Sequence, residues 1–338
     1  MLECDVSSPA KKLIEERKLF QRNNVLIRDF RKPDLNDLLG LLPQCFAEEF
    51  EVTGFDPNHV REMVDRTFGI FGRLFLNLSK LTGRESARFF VAEVDNKVVG
   101  TTIVDNSGRV GYVSTVMVHP VYRKKGIATR LLKSAVEYVQ KKKRNKAVLH
   151  VNSTNTTAKS VYAKLGFKRF ECITHLVGET DSLLKPRNVG PVRVRLFQKN
   201  DTNEVCNLIK TSGDPDHLAI FGFDRNDLKT PSLQRIIHMS TEKRLVATKN
   251  GRIIGYAEVS YTTPKEAGRI GNICVSLENM STGIEIALIS EAVDQIRQVG
   301  AKKIRATIPT TRQELTETLE NLGFRKCLQV EGMFLDLA

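Results

Sequence analysis

The apolar positions along this chain fall into two rhythms. Phe89-Phe90-Val91-Ala92-Glu93-Val94 and Val98-Val99-Gly100 flank Asp95-Asn96-Lys97, which predicts two strands joined by a tight turn. Tyr112 to Val118 predicts a further strand ending near Val118. From Gly126 the rhythm changes: Ile127, Leu131, Leu132, Ala135, Val136 and Val139 lie on one side of an amphipathic helix. Leu149-His150-Val151 predicts the next strand. Upstream, Ile27 to Asp34 reads as a short strand with Asp34 as the cap of a leucine-rich helix. Between Phe46 and Arg88 the sequence reads as helical. Its stripe of Met63, Val64, Phe68, Phe71, Phe75 and Leu78 suits core packing, or one wall of a substrate groove. Residues 1–24 are charged and form a helix at most.

The pattern then repeats. Val194 to Asp201 echoes Ile27 to Asp34, and Arg244 to Gly255 echoes the hairpin from Phe89 to Gly100. Lys164-Leu165-Gly166-Phe167 returns as Asn321-Leu322-Gly323-Phe324. From Gly111 and Gly268 to Phe167 and Phe324 the spacing is constant at 157 residues. One fold therefore occurs twice, as a tandem duplication. Each half runs strand, helices, hairpin, strand, helix, strand, helix, strand, the order of a mixed α/β sheet with helices on its faces. The expected domains are 25–177 and 192–338, joined by a polar linker over 178–191 that carries two prolines.

Composition narrows the class. The 338 residues are enough for two domains with cores of their own. With 41% apolar and 27% charged residues, the profile is that of a soluble globular protein. No run approaches the roughly 20 apolar residues that span a bilayer. The start, Met1-Leu2-Glu3-Cys4-Asp5, does not read as a signal peptide. Six cysteines show no spacing for zinc or a disulfide frame, so reduced thiols, a cytoplasmic location and no metal are expected. The net charge of +13 asks for an anionic partner, such as a phosphate-rich cofactor, nucleic acid, the ribosome or an acidic protein. Its densest run, Lys141 to Arg144 with Lys146, ends a predicted helix, where cations complement the helix dipole.

The segment that carries chemistry follows the strand ending at Val118. A basic turn, Arg123-Lys124-Lys125, leads into a helix beginning near Gly126. A helix N-terminus offers unpaired N–H groups and partial positive charge, hence an anion site. Gly126 and Ala128 keep bulky side chains off the approach.

Arg123-x-x-Gly126-x-Ala128 after a strand, then Leu149-His150-Val151, then Asn155-x-x-Ala-x-x-x-Tyr162-x-x-x-Gly-Phe, resembles the GCN5-related N-acetyltransferase (GNAT) superfamily over residues 25–177. The resemblance implies tandem GNAT domains, each a mixed, mostly antiparallel sheet flanked by helices. It implies acetyl-CoA as co-substrate, with the pantetheine arm along Val116, Met117 and Val118. The pyrophosphate would lie on backbone N–H groups of Arg123, Lys124, Lys125, Gly126, Ile127, Ala128 and Thr129. Asn155 would hydrogen-bond the cofactor, and Tyr162 would protonate the departing thiolate. The Tyr112 and His150 placement is similar to one branch of protein N-terminal amine acetyltransferases, where such a pair relays a proton through water. Glu93 is the alternative base, and His119 reads as a strand-end residue.

The second half keeps the frame and loses these groups. Arg123 becomes Met280, Lys124 and Lys125 become Ser281 and Thr282, and Ala128 becomes Glu285. Asn155, Tyr162, His150 and Tyr112 become Arg312, Leu319, Thr307 and Arg269, while Gly126 persists as Gly283. A carboxylate where cations stood repels a pyrophosphate. The expectation is an N-acetyltransferase acting on a primary amine, such as a protein or peptide N-terminus, through its first half. The sequence leaves open a small-molecule amine as acceptor, and a non-catalytic binding protein that uses the basic surface.

Overall fold

The structure is a computed structural model that describes residues 25–45, 61, 87–184, 192–228, 241–261, 267–280 and 282–337. The N-terminal extension over 1–24 and the stripe from Met63 to Leu78 lie outside the described residues. The chain divides into two compact units. One comprises 1–149, 161–166 and 335–338; the other comprises 150–160 and 167–334.

The first unit is built on β1 (Leu26–Asp29), β2 (Ala87–Val94), β3 (Lys97–Asp105), β4 (Gly111–Val118) and the start of β5 (Lys146–Asn152). They lie side by side in chain order, antiparallel except for β4 with β5. Helix α1 (Leu35–Cys45) places Leu35, Leu38, Leu41 and Leu42 in a core with Phe30, Val91, Val98 and Met117. Helix α2 (Ile127–Lys141) packs on β2, β3 and β4. Its buried residues are Ile127, Leu131, Leu132, Ala135, Tyr138 and Val139. Tyr138 thus takes a core place read for Val136, because its ring packs edge-on against Phe90 at 6.1 Å. Each fully buried Ile or Leu stabilises the unit by roughly 1.5–3 kcal/mol. Helix α3 (Thr156–Lys164) carries Tyr162.

The basic run has local work. Lys142 lies over the Tyr138 ring at 5.5 Å, Arg144 Nη2 donates to the Asn106 carbonyl at 2.6 Å, and Lys146 pairs with Asp336 at 2.6 Å.

The second unit contains β6 (Lys168–Glu179), β7 (Arg193–Leu196), β8 (Thr241–Lys249), β9 (Arg252–Tyr261), β10 (Ala267–Val275), β11 (Lys303–Pro309) and most of β12 (Arg325–Asp336). Their order is β12-β6-β11-β10-β9-β8-β7, antiparallel except for β10 with β11. Gly178 and Glu179, assigned to the linker from sequence, are the last residues of β6. Strand β6 belongs to the first repeat by sequence, yet it pairs with β11 and β12 of the second. Helices α4 (Thr202–Ser212), α5 (Pro215–Phe221), α6 (Ile284–Gln298) and α7 (Gln313–Asn321) also belong to this unit. Alternate residues of β8 separate the two faces. Leu245 and Ala247 join the core under α6, and Val246 joins the core under α4.

The duplication extends to packing. A Cβ on Gly111 would lie 2.4 Å from Val139, and one on Gly268 would lie 2.5 Å from Ile296, the same helix-on-strand approach in both repeats. Arg28 forks onto Asp34 at 2.7 and 2.8 Å, and Arg195 onto Asp201 at 2.6 and 2.9 Å. Each aspartate also accepts the backbone N–H three residues back, from Arg31 and Gln198.

Candidate active site

Strand β4 carries a bulge. Its ladder with β3 pairs Tyr112 with Asp105, Val113 with Val104 and Ser114 with Ile103, then resumes at Met117 with Thr101 and Val118 with Gly100. Thr115 sits at φ +55°, and neither it nor Val116 has a partner in that register. A bulge leaves its extra residue unpaired and re-aims the strand. On the other edge, the parallel register with β5 covers only Gly111 with Ala147 and Tyr112 with Val148. Backbone from Val113 to Val118 is therefore outside the β5 ladder, a strip of the kind an extended amide-bearing ligand can join. The Val118 carbonyl accepts from Arg123 Nε at 3.0 Å and from Cys45 Sγ at 3.6 Å. The Met117 side chain is buried under α1.

Beyond β4, the His119 Nδ1 accepts the Val121 N–H at 3.3 Å, and its ring stands edge-on to Tyr122 at 5.7 Å. His119 thus shapes the strand end. Arg123 and Lys124 are exposed, and Lys125 Nζ lies over the Tyr122 ring at 5.1 Å. Lys124 at φ +62° and Gly126 at φ +76° turn the chain into α2. Gly126 is the N-cap residue and has no side chain with which to cap the helix. Among the described residues a Cβ there would meet nothing within 4 Å, so none of them crowds the glycine at the first-turn N–H groups of Ile127, Ala128 and Thr129. The Ile127 side chain itself is buried, which anchors the turn.

Tyr162 is buried on α3, and burial pushes its hydroxyl up to about 12, so it stays protonated at neutral pH. Asn155 begins the same helix. Its Oδ1 accepts the Ala158 N–H at 3.0 Å, an N-cap bond. Tyr112 is half-buried on β4. Glu93 is bound by Arg28, whose Nε donates to it at 2.7 Å.

His150, on β5, is held by a residue that pattern reading did not single out. Its Nε2 lies 2.8 Å from Glu171 Oε1, and His217 Nδ1 lies 3.0 Å from Glu171 Oε2. The Glu171 side chain is only 4% exposed. Burial favours its neutral form, but the bonds and charge of His150 and His217 prevail and hold the carboxyl at about 2. His217 stacks on Phe221 at 4.5 Å, and Phe170 packs edge-on to His150 at 6.2 Å. A charged residue in a half-buried stretch of strand was the available signal for Glu171. His217 gave none, since only folding brings α5 to β6.

The second repeat has the same backbone and a different filling. Asn272 repeats the left-handed bulge at φ +48°, and Gly283 repeats the turn at φ +87°. Here Arg312 Nη1 donates to the Ile273 carbonyl at 2.9 Å, and Nη2 meets the buried Glu285 at 3.0 Å. Ile273 and Glu285 stand where Val116 and Ala128 stand in the first repeat. A side-chain ion pair thus lies across the positions that are open at β4 and α2.

Comparison with known proteins agrees with this doubled plan. Residues 48–167 match the acetyltransferase (GNAT) family, and residues 214–334 match an acetyltransferase (GNAT) domain. An uncharacterized N-acetyltransferase of Archaeoglobus fulgidus is 32% identical over 98 residues, 27% of this chain and 67% of that protein. One from Methanocaldococcus jannaschii is 29% identical over 154 residues, 44% of this chain and 62% of that protein. An N-alpha-acetyltransferase of Sulfurisphaera tokodaii is 32% identical over 102 residues, 26% of this chain and 61% of that protein. Among solved structures, a tandem GNAT protein from the clavulanic acid biosynthesis pathway superposes with a TM-score of 0.64 at 14% identity, covering 93% of this chain and 98% of that one. A GCN5-related N-acetyltransferase from Sphaerobacter thermophilus gives 0.65 at 16% identity, covering 92% and 95%. The chain belongs to the GNAT acetyltransferase family and carries two such domains in tandem. Among the described residues, no group of three or more His, Cys, Asp or Glu is placed to hold a metal ion. No described helix is long and apolar enough to cross a membrane.

Proposed function

We propose that the chain transfers the acetyl group of acetyl-CoA to a primary amine, with the first repeat binding the cofactor. The observation that supports this reading is a pair of features in that repeat, the β4 backbone that runs past the end of the β5 ladder and the start of α2 without a side-chain cap. Acetyl-CoA supplies an activated thioester, and the chain's own groups do the rest. Val116 to Val118 align the arm, while the N–H groups from Arg123 to Thr129 take the pyrophosphate. Binding through the Val118 carbonyl displaces Arg123, which then faces the phosphates. Asn155 donates to the cofactor through its carboxamide nitrogen.

An ammonium has no lone pair, so the acceptor must lose a proton before it attacks. His150, with Tyr112, is the proposed base, and Glu171 holds its ring through Nε2. Tyr162, kept protonated by burial, returns a proton to the thiolate. The proposed acceptor is a protein or peptide N-terminus, a reading supported by the placement of Tyr112 and His150 and by the name of the Sulfurisphaera tokodaii relative. The test is calorimetric titration of acetyl-CoA into the wild type and Gly126→Glu. One site per chain, lost in the variant, is expected. Two sites would show that the second repeat also binds, and no site would remove the enzyme reading.

A further inference from the structure

One carboxylate joins two elements that sequence order keeps apart. Strand β12 runs between β6 and the end of β5 that carries His150. Its ladder with β6 pairs Gly332 with Glu171 and then Met333 with Arg169, so Phe170 is the extra residue of a bulge. Gly332 leaves the room that Glu171 and Phe170 fill. A Cβ there would lie 2.6 Å from Glu171 Cγ and 2.8 Å from the Phe170 ring. The Glu171 side chain thus crosses β12 over a glycine and meets His150 Nε2 with one oxygen. Its other oxygen meets His217 Nδ1.

Helix α5 is held so that His217 arrives there. Gly213 ends α4 against the Ile209 carbonyl, where a Cβ would lie 2.5 Å from the oxygen. Asp214 caps α5, its Oδ1 accepting the His217 N–H at 2.9 Å, and Pro215 opens the helix. A path of rings runs beside the hydrogen bonds, from His150 to Phe170, from Phe170 to Phe221 at 6.0 Å, and from Phe221 to His217. A carboxylate can only accept hydrogen bonds. The Glu171 carboxyl, lowered to about 2, is ionised at neutral pH. His150 Nε2 and His217 Nδ1 therefore both carry protons, whatever the charge of either ring, and a neutral His150 has its lone pair on Nδ1. With both oxygens taken, the carboxylate cannot turn without breaking a bond to one ring. In the second repeat, Thr307 and Leu328 stand at the places of His150 and Glu171. The arrangement thus exists once, around the histidine of the first repeat.

We propose that His217 is a positioning residue for acetyl transfer, acting through Glu171 to fix the orientation and tautomer of His150, a role that rests on His150 being the base. The second repeat, whose own copies of these positions are apolar or uncharged, thereby supplies one residue to the chemistry of the first.

The experiment compares the full chain with His217→Phe, which keeps a ring on Phe221 but has no N–H, and with His217→Asn, whose amide N–H can replace Nδ1–H. The His217 side chain is 41% exposed, so both replacements fit at the surface. One readout is the 15N shifts of the His150 ring, assigned by their loss in His150→Gln. The other is kcat and KM with acetyl-CoA and a peptide bearing a free N-terminal amine. The wild type should show the Nε2–H tautomer. In His217→Phe the tautomers should mix, and kcat should fall about tenfold with both KM values kept, a part of the roughly hundredfold or more that a positioned base supplies. His217→Asn should recover most of both. Should His217→Phe fail to fold, Glu171→Gln, which offers one oxygen to two rings, should mix the tautomers in the same way. Unmixed tautomers, or equal losses in the Phe and Asn variants, would overturn the proposal. So would a loss in His150→Gln with full turnover in His217→Phe, which leaves the base reading standing. Wild-type turnover in His150→Gln would instead remove the base reading, and the proposal with it.

Discussion

The turn before α2 and the turn before α6 are the same piece of backbone put to different ends. Both follow a bulged strand with a left-handed residue, Thr115 or Asn272, and both enter their helix through a left-handed glycine, Gly126 or Gly283. Around Gly126 the neighbours are exposed Arg123 and Lys124, and none of the described residues crowds the glycine. Around Gly283 the helix begins with buried Glu285, pinned by Arg312, which also takes the Ile273 carbonyl. The same left-handed turn is therefore kept in both repeats while an ion pair crosses it in one of them.

The largest expected contrast lies between the two glycines. Gly126→Glu should lower acetyl-CoA affinity by about a hundredfold or more, since it sets a carboxylate at the phosphates. Gly283→Glu should leave acetyl-CoA affinity unchanged and lower unfolding stability by about 1 kcal/mol through the positive φ. Equal effects in calorimetry would erase the distinction between the turns.

Next comes the pair Tyr162 and Leu319. Tyr162→Phe should reduce kcat on a peptide with a free N-terminal amine by about a hundredfold, with acetyl-CoA affinity kept. Leu319 is fully buried, and Leu319→Ala should instead cost about 2–5 kcal/mol in denaturant unfolding. Loss of activity with loss of cofactor affinity in Tyr162→Phe would move that residue from acid to binder.

Smaller is the effect of opening the ion pair. Arg312→Ala strands Glu285 and should destabilise the chain by about 2 kcal/mol, and Arg312→Ala with Glu285→Ala should recover most of it. A double variant no better than the single would mean that the arginine acts through the Ile273 carbonyl alone.

The smallest effect is on pH dependence. Glu171 has its carboxyl depressed to about 2, from an ordinary value of 4.5, whereas its counterpart in the second repeat is Leu328. A depressed carboxylate stabilises the fold above its ordinary pKa and loses that contribution as pH falls from about 4.5 toward 2. Denaturant midpoints across that window should fall more steeply for the wild type than for Glu171→Gln; parallel curves would show that the two histidine bonds contribute nothing to stability.

Much of this molecule is legible in residue order alone. The hairpin at Asp95-Asn96-Lys97, the strand into Val118 and the helix from Ile127 announce themselves through local periodicity and turn chemistry, which act within a few residues. The buried stripe of α2 was legible except for Tyr138, whose polar hydroxyl disguised a ring that packs on Phe90. The aspartates of the two opening segments read as simple caps. The fork from Arg28 to Asp34 did not show, because it joins a strand to a turn by side-chain geometry. Glu171 and His217 escaped for the same reason.

What the sequence determined by itself is the duplication, the element order and the contrast between a basic and an acidic turn, all carried by residue type and spacing. Tertiary structure alone decided that β6 leaves its own repeat to pair with β11 and β12. It alone decided that Arg312 reaches Glu285, and that one carboxylate joins histidines from β5 and α5. Ladder partners and buried ion pairs are chosen by which edges and charges meet once the chain is compact. Those meetings span tens of residues or more, and no local pattern specifies them.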